Sequence, residues 1–96
     1  MAELDDHYQR SASIVAREIA GEMILVPIRH NVGDLESIYT LNETAAYIWS
    51  LIDGQRTVRE IRDKVVAEFE VEEKEAEQDL FELLAQLESF RGIERT

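Results

Sequence analysis

The stretch from Ser37 to Ile61 constrains the fold more than any other part of the chain. Its first five residues, SIYTL, are mostly β-branched or aromatic and predict a short strand. Asn42 follows, and its side-chain oxygen can cap the free N–H groups of a starting helix. Four apolar residues then recur at the spacing of one buried helical face: Ala45, Ile48, Trp49 and Ile52. The stretch therefore predicts a strand that leads directly into a packed helix.

Three later signals divide the rest of the chain into helices. Gly54 is predicted to end the first helix, because glycine readily adopts the left-handed conformation that follows many helices. Thr57 and Glu60 have the spacing of a capping box, which predicts a second helix over residues 58–69. A third helix is predicted over residues 74–90, because leucines recur there along one stripe.

The residues before Ser37 predict two more strands, over residues 13–18 and 22–28, with Ala20 and Gly21 in the turn between them. Residues 1–12 are polar and are expected to be a flexible tail. Residues 30–36 are expected to be an exposed loop. The predicted domain, residues 13–93, is of the α+β class: a three-stranded antiparallel β-sheet followed by three helices, which is a winged-helix-like arrangement.

Winged-helix folds commonly bind DNA, and the charge of the chain argues against that function here. The net charge is −11 over 96 residues, whereas nucleic-acid binding draws most of its affinity from neutralised phosphates. We therefore expect no nucleic-acid partner, and a winged-helix DNA-binding regulator is the disfavoured alternative. The chain has neither an apolar run that could span a bilayer nor a signal-peptide pattern, which predicts a cytoplasmic protein without a membrane partner.

The chain offers little for catalysis or metal binding. It contains no cysteine and only two histidines, and no nucleophile, base and orienting residue fall into a recognisable motif. The acidic run from Glu68 to Glu82 lacks the Asp/Asn and glycine spacing of a calcium-binding EF-hand loop, so a solvated helix face is the expected role. We expect a protein that is not an enzyme and that uses no metal or cofactor.

The predicted third strand offers a function that depends on backbone groups. A strand at the edge of a sheet presents unpaired N–H and C=O groups, to which an extended peptide can add as a further strand. If the third helix lies beside that edge, the two elements form a groove. Phe81 lies about 100° round the helix from Leu80, so it either lines this groove or widens the core stripe.

Several of these residues together resemble the PqqD-like family. The resemblance rests on Leu41–Ala45, Ile48-Trp49, Asp53-Gly54, Thr57-Val58 and Glu60-Ile61, and on the closing Leu84, Leu87 and Gly92-Ile93. It extends over residues 13–93, because Ala16–Glu18, Gly21-Glu22 and Leu25–Pro27 are also similar to small members of the family.

The resemblance implies a recognition element for ribosomally made, post-translationally modified peptides. Such an element holds the leader segment of a precursor peptide as an added strand and presents it to a modifying enzyme, often a radical SAM enzyme. A structural subunit of such an enzyme is the alternative, and the free edge also allows a homodimer. The implied peptide-binding residues lie on the third strand and third helix: Glu36, Ser37, Ile38, Tyr39, Thr40, Leu41, Glu77, Phe81, Leu84 and Glu88.

Overall fold

The computed structural model of the protein describes residues 2–28 and 39–96. The predicted loop at residues 30–36, and Ser37 and Ile38 of the predicted third strand, lie outside this range. The described elements follow in the order β1 (His7–Arg10), β2 (Ile14–Ile19), β3 (Glu22–Pro27), β4 (Tyr39–Leu41), α1 (Glu43–Leu51), β5 (Asp53–Thr57), α2 (Val58–Phe69), α3 (Glu73–Ser89) and β6 (Ile93–Arg95).

The predicted three-stranded antiparallel sheet is present, with the strand order β2-β3-β4. A two-residue turn joins β2 to β3, and its residues Ala20 and Gly21 both have positive φ, at 53° and 82°. These values fit the primed turns that match the twist of a hairpin. The turn fixes the register, in which Ile19 faces Glu22 and Leu25 faces Tyr39 of β4.

The local signals for the helices are confirmed. The Asn42 side chain accepts a hydrogen bond from the Ala45 N–H at 2.8 Å, so α1 begins where it was predicted. The capping box at α2 is complete: the Glu60 N–H donates to Thr57 Oγ1 at 3.1 Å, and the Thr57 N–H donates to Glu60 Oε1 at 2.9 Å. The Thr57 N–H and the Thr57 hydroxyl both donate to the Glu60 carboxylate, and these two hydrogen bonds lower the pKa of that carboxyl because they favour its charged form.

The core lies between the helices and the inner face of the β2-β3-β4 sheet. Leu25 is fully buried there, and Leu41 and Trp49 are almost fully buried. The helical stripes found by periodicity supply most of the other members: Ile48, Ile52, Val58, Ile61, Val65, Ala76, Leu80, Leu83, Leu84 and Leu87. The fold class is therefore confirmed as α+β, with a three-stranded antiparallel sheet and three helices.

A second antiparallel sheet, with the order β5-β1-β6, was not predicted. Its central strand is β1, so the expectation of a flexible tail is wrong for residues 7–10. Tyr8 is only 1% exposed and joins the core, whereas Gln9 and Arg10 are exposed. One buried residue in a polar segment is a weak local signal, and the partners of β1 lie far away in the sequence.

The end of α1 also differs from the prediction. The helix ends at Leu51, and Gly54 lies within strand β5 at φ +83°. A Cβ at Gly54 would lie 3.5 Å from the Gln9 Cβ, which is an ordinary contact. The positive φ, and not crowding, is therefore the reason that glycine suits this position.

Candidate functional site

A groove of about 320 Å³ lies between β4, the N-terminal half of α1 and one side of α3, and we call it the β4 groove. Its floor is apolar, formed by Ala45, Ile48 and Leu83, of which Ile48 is 1% and Leu83 is 7% exposed. The remaining lining residues are polar or aromatic: Tyr39, Thr40, Asn42, Thr44, Asp79, Glu82 and Gln86. The groove is therefore a small apolar floor within a mostly polar rim.

Strand β4 borders this groove and is an outer strand of the described sheet, because β3 is its only partner there. The register of the hairpin shows which backbone groups of β4 form hydrogen bonds with β3. In a two-residue hairpin the flanking residues, here Ile19 and Glu22, form a hydrogen-bonded pair. Because such pairs alternate along antiparallel strands, Glu22 and Ile24 direct their backbone groups toward β2.

The intervening residues of β3, Met23 and Leu25, then direct their backbone groups toward β4, where they face Leu41 and Tyr39. Thr40 lies between these two, so its N–H and C=O point away from β3 toward the outer edge. Among the described residues, Thr40 is therefore the β4 position whose backbone groups are available for a further strand.

Side chains of α3 close one end of the β4 groove. The Tyr39 hydroxyl donates a hydrogen bond to the side-chain oxygen of Gln86. The Tyr39 ring also packs against Phe90, with 5.3 Å between ring centroids and an interplanar angle of 38°. These contacts hold the start of β4 beside the C-terminal end of α3.

Two sides of α3 flank its buried leucine stripe, and only one of them lines the groove. The groove flank consists of Asp79, Glu82, Leu83 and Gln86. The opposite flank consists of Glu77, Phe81, Leu84 and Glu88, about 180° away around a helix of 3.6 residues per turn.

The opposite flank makes contacts within the fold. Glu77 lies 3.9 Å from the Arg62 guanidinium of α2, measured from Oε2 to Nη1. Leu84 is fully buried, and Phe81 is half-buried against the core. Glu88 accepts a hydrogen bond from the Tyr8 hydroxyl at 3.4 Å. This flank therefore faces α2 and the second sheet.

Comparison with known proteins identifies the family of this chain. The profile of the family described as Coenzyme PQQ synthesis protein D (PqqD) matches residues 22–90. The chain belongs to the PqqD family. A comparison with curated proteins finds no match.

A solved structure described as TbiB1 in complex with the TbiA(beta) leader peptide is similar to this PqqD family member. The TM-score is 0.74 and the sequence identity is 26%, over 90% of this chain and 94% of the TbiB1 chain. The similarity therefore extends over nearly the whole of both folds.

The family match contains every residue that lines the β4 groove, since the lining runs from Tyr39 to Gln86. It excludes β1 and β6, which belong to the second sheet. The matched part of the chain thus contains the whole described lining of the groove.

The structure brings together only some of the residues that the sequence predicted for the site. Tyr39 and Thr40 line the groove, and their binding of peptide stays a prediction. Leu41 is 3% exposed and belongs to the core, although its backbone continues β4. Glu36, Ser37 and Ile38 lie outside the described residues.

The other four predicted residues lie on the opposite flank of α3, away from β4: Glu77, Phe81, Leu84 and Glu88. Their binding of peptide stays a prediction. The periodicity of α3 locates the leucine stripe but does not tell which side of the stripe meets β4. Sequence reasoning therefore missed most of the lining residues: Asn42, Thr44, Ala45, Ile48, Asp79, Glu82, Leu83 and Gln86.

The described residues hold no group of three or more His, Asp or Glu side chains placed to bind a metal ion. In that same part of the chain, no helix has both the length and the apolar character needed to cross a bilayer.

Proposed function

We propose that this PqqD-family protein is a non-catalytic peptide-binding module that captures the leader segment of a ribosomally made precursor peptide in the β4 groove. The leader adds as a strand to the outer edge of β4, and its apolar side chains rest on the floor formed by Ala45, Ile48 and Leu83. Main-chain hydrogen bonds then provide affinity, and the floor and rim provide specificity.

The similarity to TbiB1, a protein solved in complex with a leader peptide, is the observation that carries this proposal. The geometry of the groove supports it independently. Thr40 directs a backbone donor and acceptor to the edge of β4, and the apolar floor lies beside that edge. An extended peptide can satisfy both features at once.

The bound leader would be passed to an enzyme that modifies the rest of the precursor, and we propose a radical SAM enzyme or another peptide-modifying enzyme in this role. A leader held by main-chain bonds leaves the following segment of the precursor free to reach a separate active site. The binding module then contributes proximity, which raises the effective concentration of the substrate.

The test begins with a search for a short precursor peptide encoded near the gene of this protein. The leader segment of that precursor is then titrated into ¹⁵N-labelled protein, and amide chemical shifts are followed. We expect the largest shifts at Tyr39–Leu41 and at Asp79, Glu82 and Gln86 of the groove flank. A scrambled peptide of the same composition is the control and should produce much smaller shifts.

Shifts confined to the β5-β1-β6 sheet or to the opposite flank of α3 would contradict binding in the groove. The absence of any saturable shift with the leader would contradict the proposed function itself.

A further inference from the structure

The rim of the β4 groove carries negative charge in two places. Asp79 and Glu82 lie on the groove flank three residues apart, which places them side by side on one helical surface. A second depression adjoins the groove and shares Thr40 and Asn42 with it. That depression is lined by three further carboxylates, those of Glu18, Glu22 and Glu43.

The described lining of both depressions contains no lysine, arginine or histidine. All five carboxylate side chains are exposed, and none forms an ion pair with a cation of the described residues. The described cations with ion pairs lie elsewhere, at Arg56, Arg59, Arg62 and Arg95. Within residues 2–28 and 39–96, no cation therefore pairs with the carboxylates along β4.

We propose that the segment bound in the β4 groove is cationic, with lysine or arginine flanking its apolar anchor. Asp79 and Glu82 contact the cation beside the floor, and Glu18, Glu22 and Glu43 attract a cation at the β4–α1 end. This inference rests on the proposed function, and it names the chemistry of the leader that the groove selects.

Charges at such a rim act more on recognition than on total affinity. Exposed opposite charges contribute little each, but they steer the approach of a partner and make the association rate fall as salt rises. An acidic leader would instead meet like charges along β4, so the same carboxylates reject it. The groove therefore combines an apolar floor common to many peptides with a rim that selects their charge.

The test uses a phage-displayed library of random 12-residue peptides, selected against the full protein. The peptides selected by the wild-type protein should be enriched in lysine and arginine beside an apolar residue. The double variant D79N/E82Q keeps the side-chain shapes and should lose most of this enrichment. The matched control E68Q/E70Q changes the net charge equally outside the groove lining and should retain it.

One selected peptide is then compared with its Lys→Gln counterpart by fluorescence anisotropy at 50 and 200 mM salt. For the wild-type protein, each lysine should raise affinity about two- to fivefold, with the larger effect at low salt. For D79N/E82Q, a lysine beside the apolar anchor should no longer raise affinity, whereas a lysine near Glu18, Glu22 and Glu43 should still do so.

The outcomes separate this inference from the proposed function. Selected peptides without a basic bias, or a bias beside the apolar anchor that persists undiminished in D79N/E82Q, would overturn the cationic-leader inference while peptide binding still stands. No selection of any peptide above background would overturn the peptide-binding function, and the inference with it.

Discussion

The two flanks of α3 belong to one helix and border one leucine stripe, yet they have opposite roles. The groove flank has the exposed carboxylates of Asp79 and Glu82, which no described cation pairs. The opposite flank is used within the fold, where Glu77 approaches Arg62 and Glu88 accepts a hydrogen bond from Tyr8. Both flanks look equally acidic in the sequence.

A carboxylate is available to bind a partner only when no other group of the fold already pairs with it. Arg62 is buried, with a side chain 9% exposed, and it approaches Asp63, Glu73 and Glu77. It therefore ties α2 to the start of α3 on the opposite flank. No cation has this role on the groove flank within the described residues, which leaves that surface for a bound peptide.

The largest expected effects come from truncation of the neighbouring leucines Leu84 and Leu83, which lie on different flanks of α3. Leu84 is fully buried, so Leu84→Ala should lower the free energy of unfolding by about 2–5 kcal/mol. Peptide affinity should be unchanged wherever the variant remains folded. Leu83 is part of the groove floor, so Leu83→Ala should in addition weaken peptide binding about three- to tenfold, through lost apolar contact.

Urea unfolding measures the first quantity, and anisotropy with a selected peptide at low temperature measures the second. Equal losses of affinity in the two folded variants would remove the distinction between the groove flank and the opposite flank of α3.

The next effect concerns peptide affinity at the edge of β4, the strand that the groove flank faces. Thr40→Pro removes the backbone N–H directed to the edge of β4 and should weaken peptide binding about tenfold or more. The fold should persist, because that N–H is not used by β3. Thr40→Val keeps the N–H and the branched shape, so its affinity should stay within about twofold of the wild type.

Tyr39→Pro is the complementary variant, since it removes a donor that pairs with β3 and should lower stability first. Isothermal titration and thermal unfolding distinguish the two losses. If Thr40→Pro bound peptide as tightly as Thr40→Val, strand addition at this edge would be wrong.

The smallest effect probes the contact between the opposite flank and Tyr8. Burial raises the pKa of the Tyr8 hydroxyl, and the nearby Glu88 carboxylate raises it further, while the hydrogen bond from Arg95 lowers it. The neutral phenol is thus favoured in the folded state. Its contribution to stability is present below the ordinary tyrosine pKa of about 10 and is lost as pH rises through the higher folded value.

Urea unfolding between pH 9 and pH 11.5 measures this loss, and Tyr8→Phe is the control because it removes the titrating group. The wild type should lose more stability than Tyr8→Phe over this range. Parallel curves for the two proteins would show that Tyr8 does not titrate differently in the folded and unfolded states.

The parts of the fold that the sequence predicted correctly are those with local causes. The Asn42 cap and the Thr57–Glu60 capping box involve residues three apart, and the apolar periods of α1, α2 and α3 are set within each helix. The hairpin followed from two apolar segments around Ala20-Gly21. Each of these signals is complete within about a dozen residues, so the sequence alone suffices.

The features that were missed depend on distant partners. The strands β1, β5 and β6 are short and polar, and each is stabilised by a neighbour far along the chain. The side of α3 that meets β4 is likewise set by how the helix is rotated in the packed core. The periodicity of the leucines predicts which residues form the buried stripe of α3. Only tertiary packing determines whether the side with Phe81 or the side with Gln86 faces β4.

The central position of β1 has a consequence for the order in which the protein is made and folded. Tyr8 pairs with Arg95, a residue 87 positions later, so β1 cannot complete its sheet until nearly all of the described chain has been synthesised. Contacts between residues so far apart in sequence form slowly, whereas the β2–β3 hairpin and the capped helices rest on short-range contacts. We therefore expect the β2–β3 hairpin and helices α1 and α2 to form early on the ribosome, and Tyr8 to be buried last.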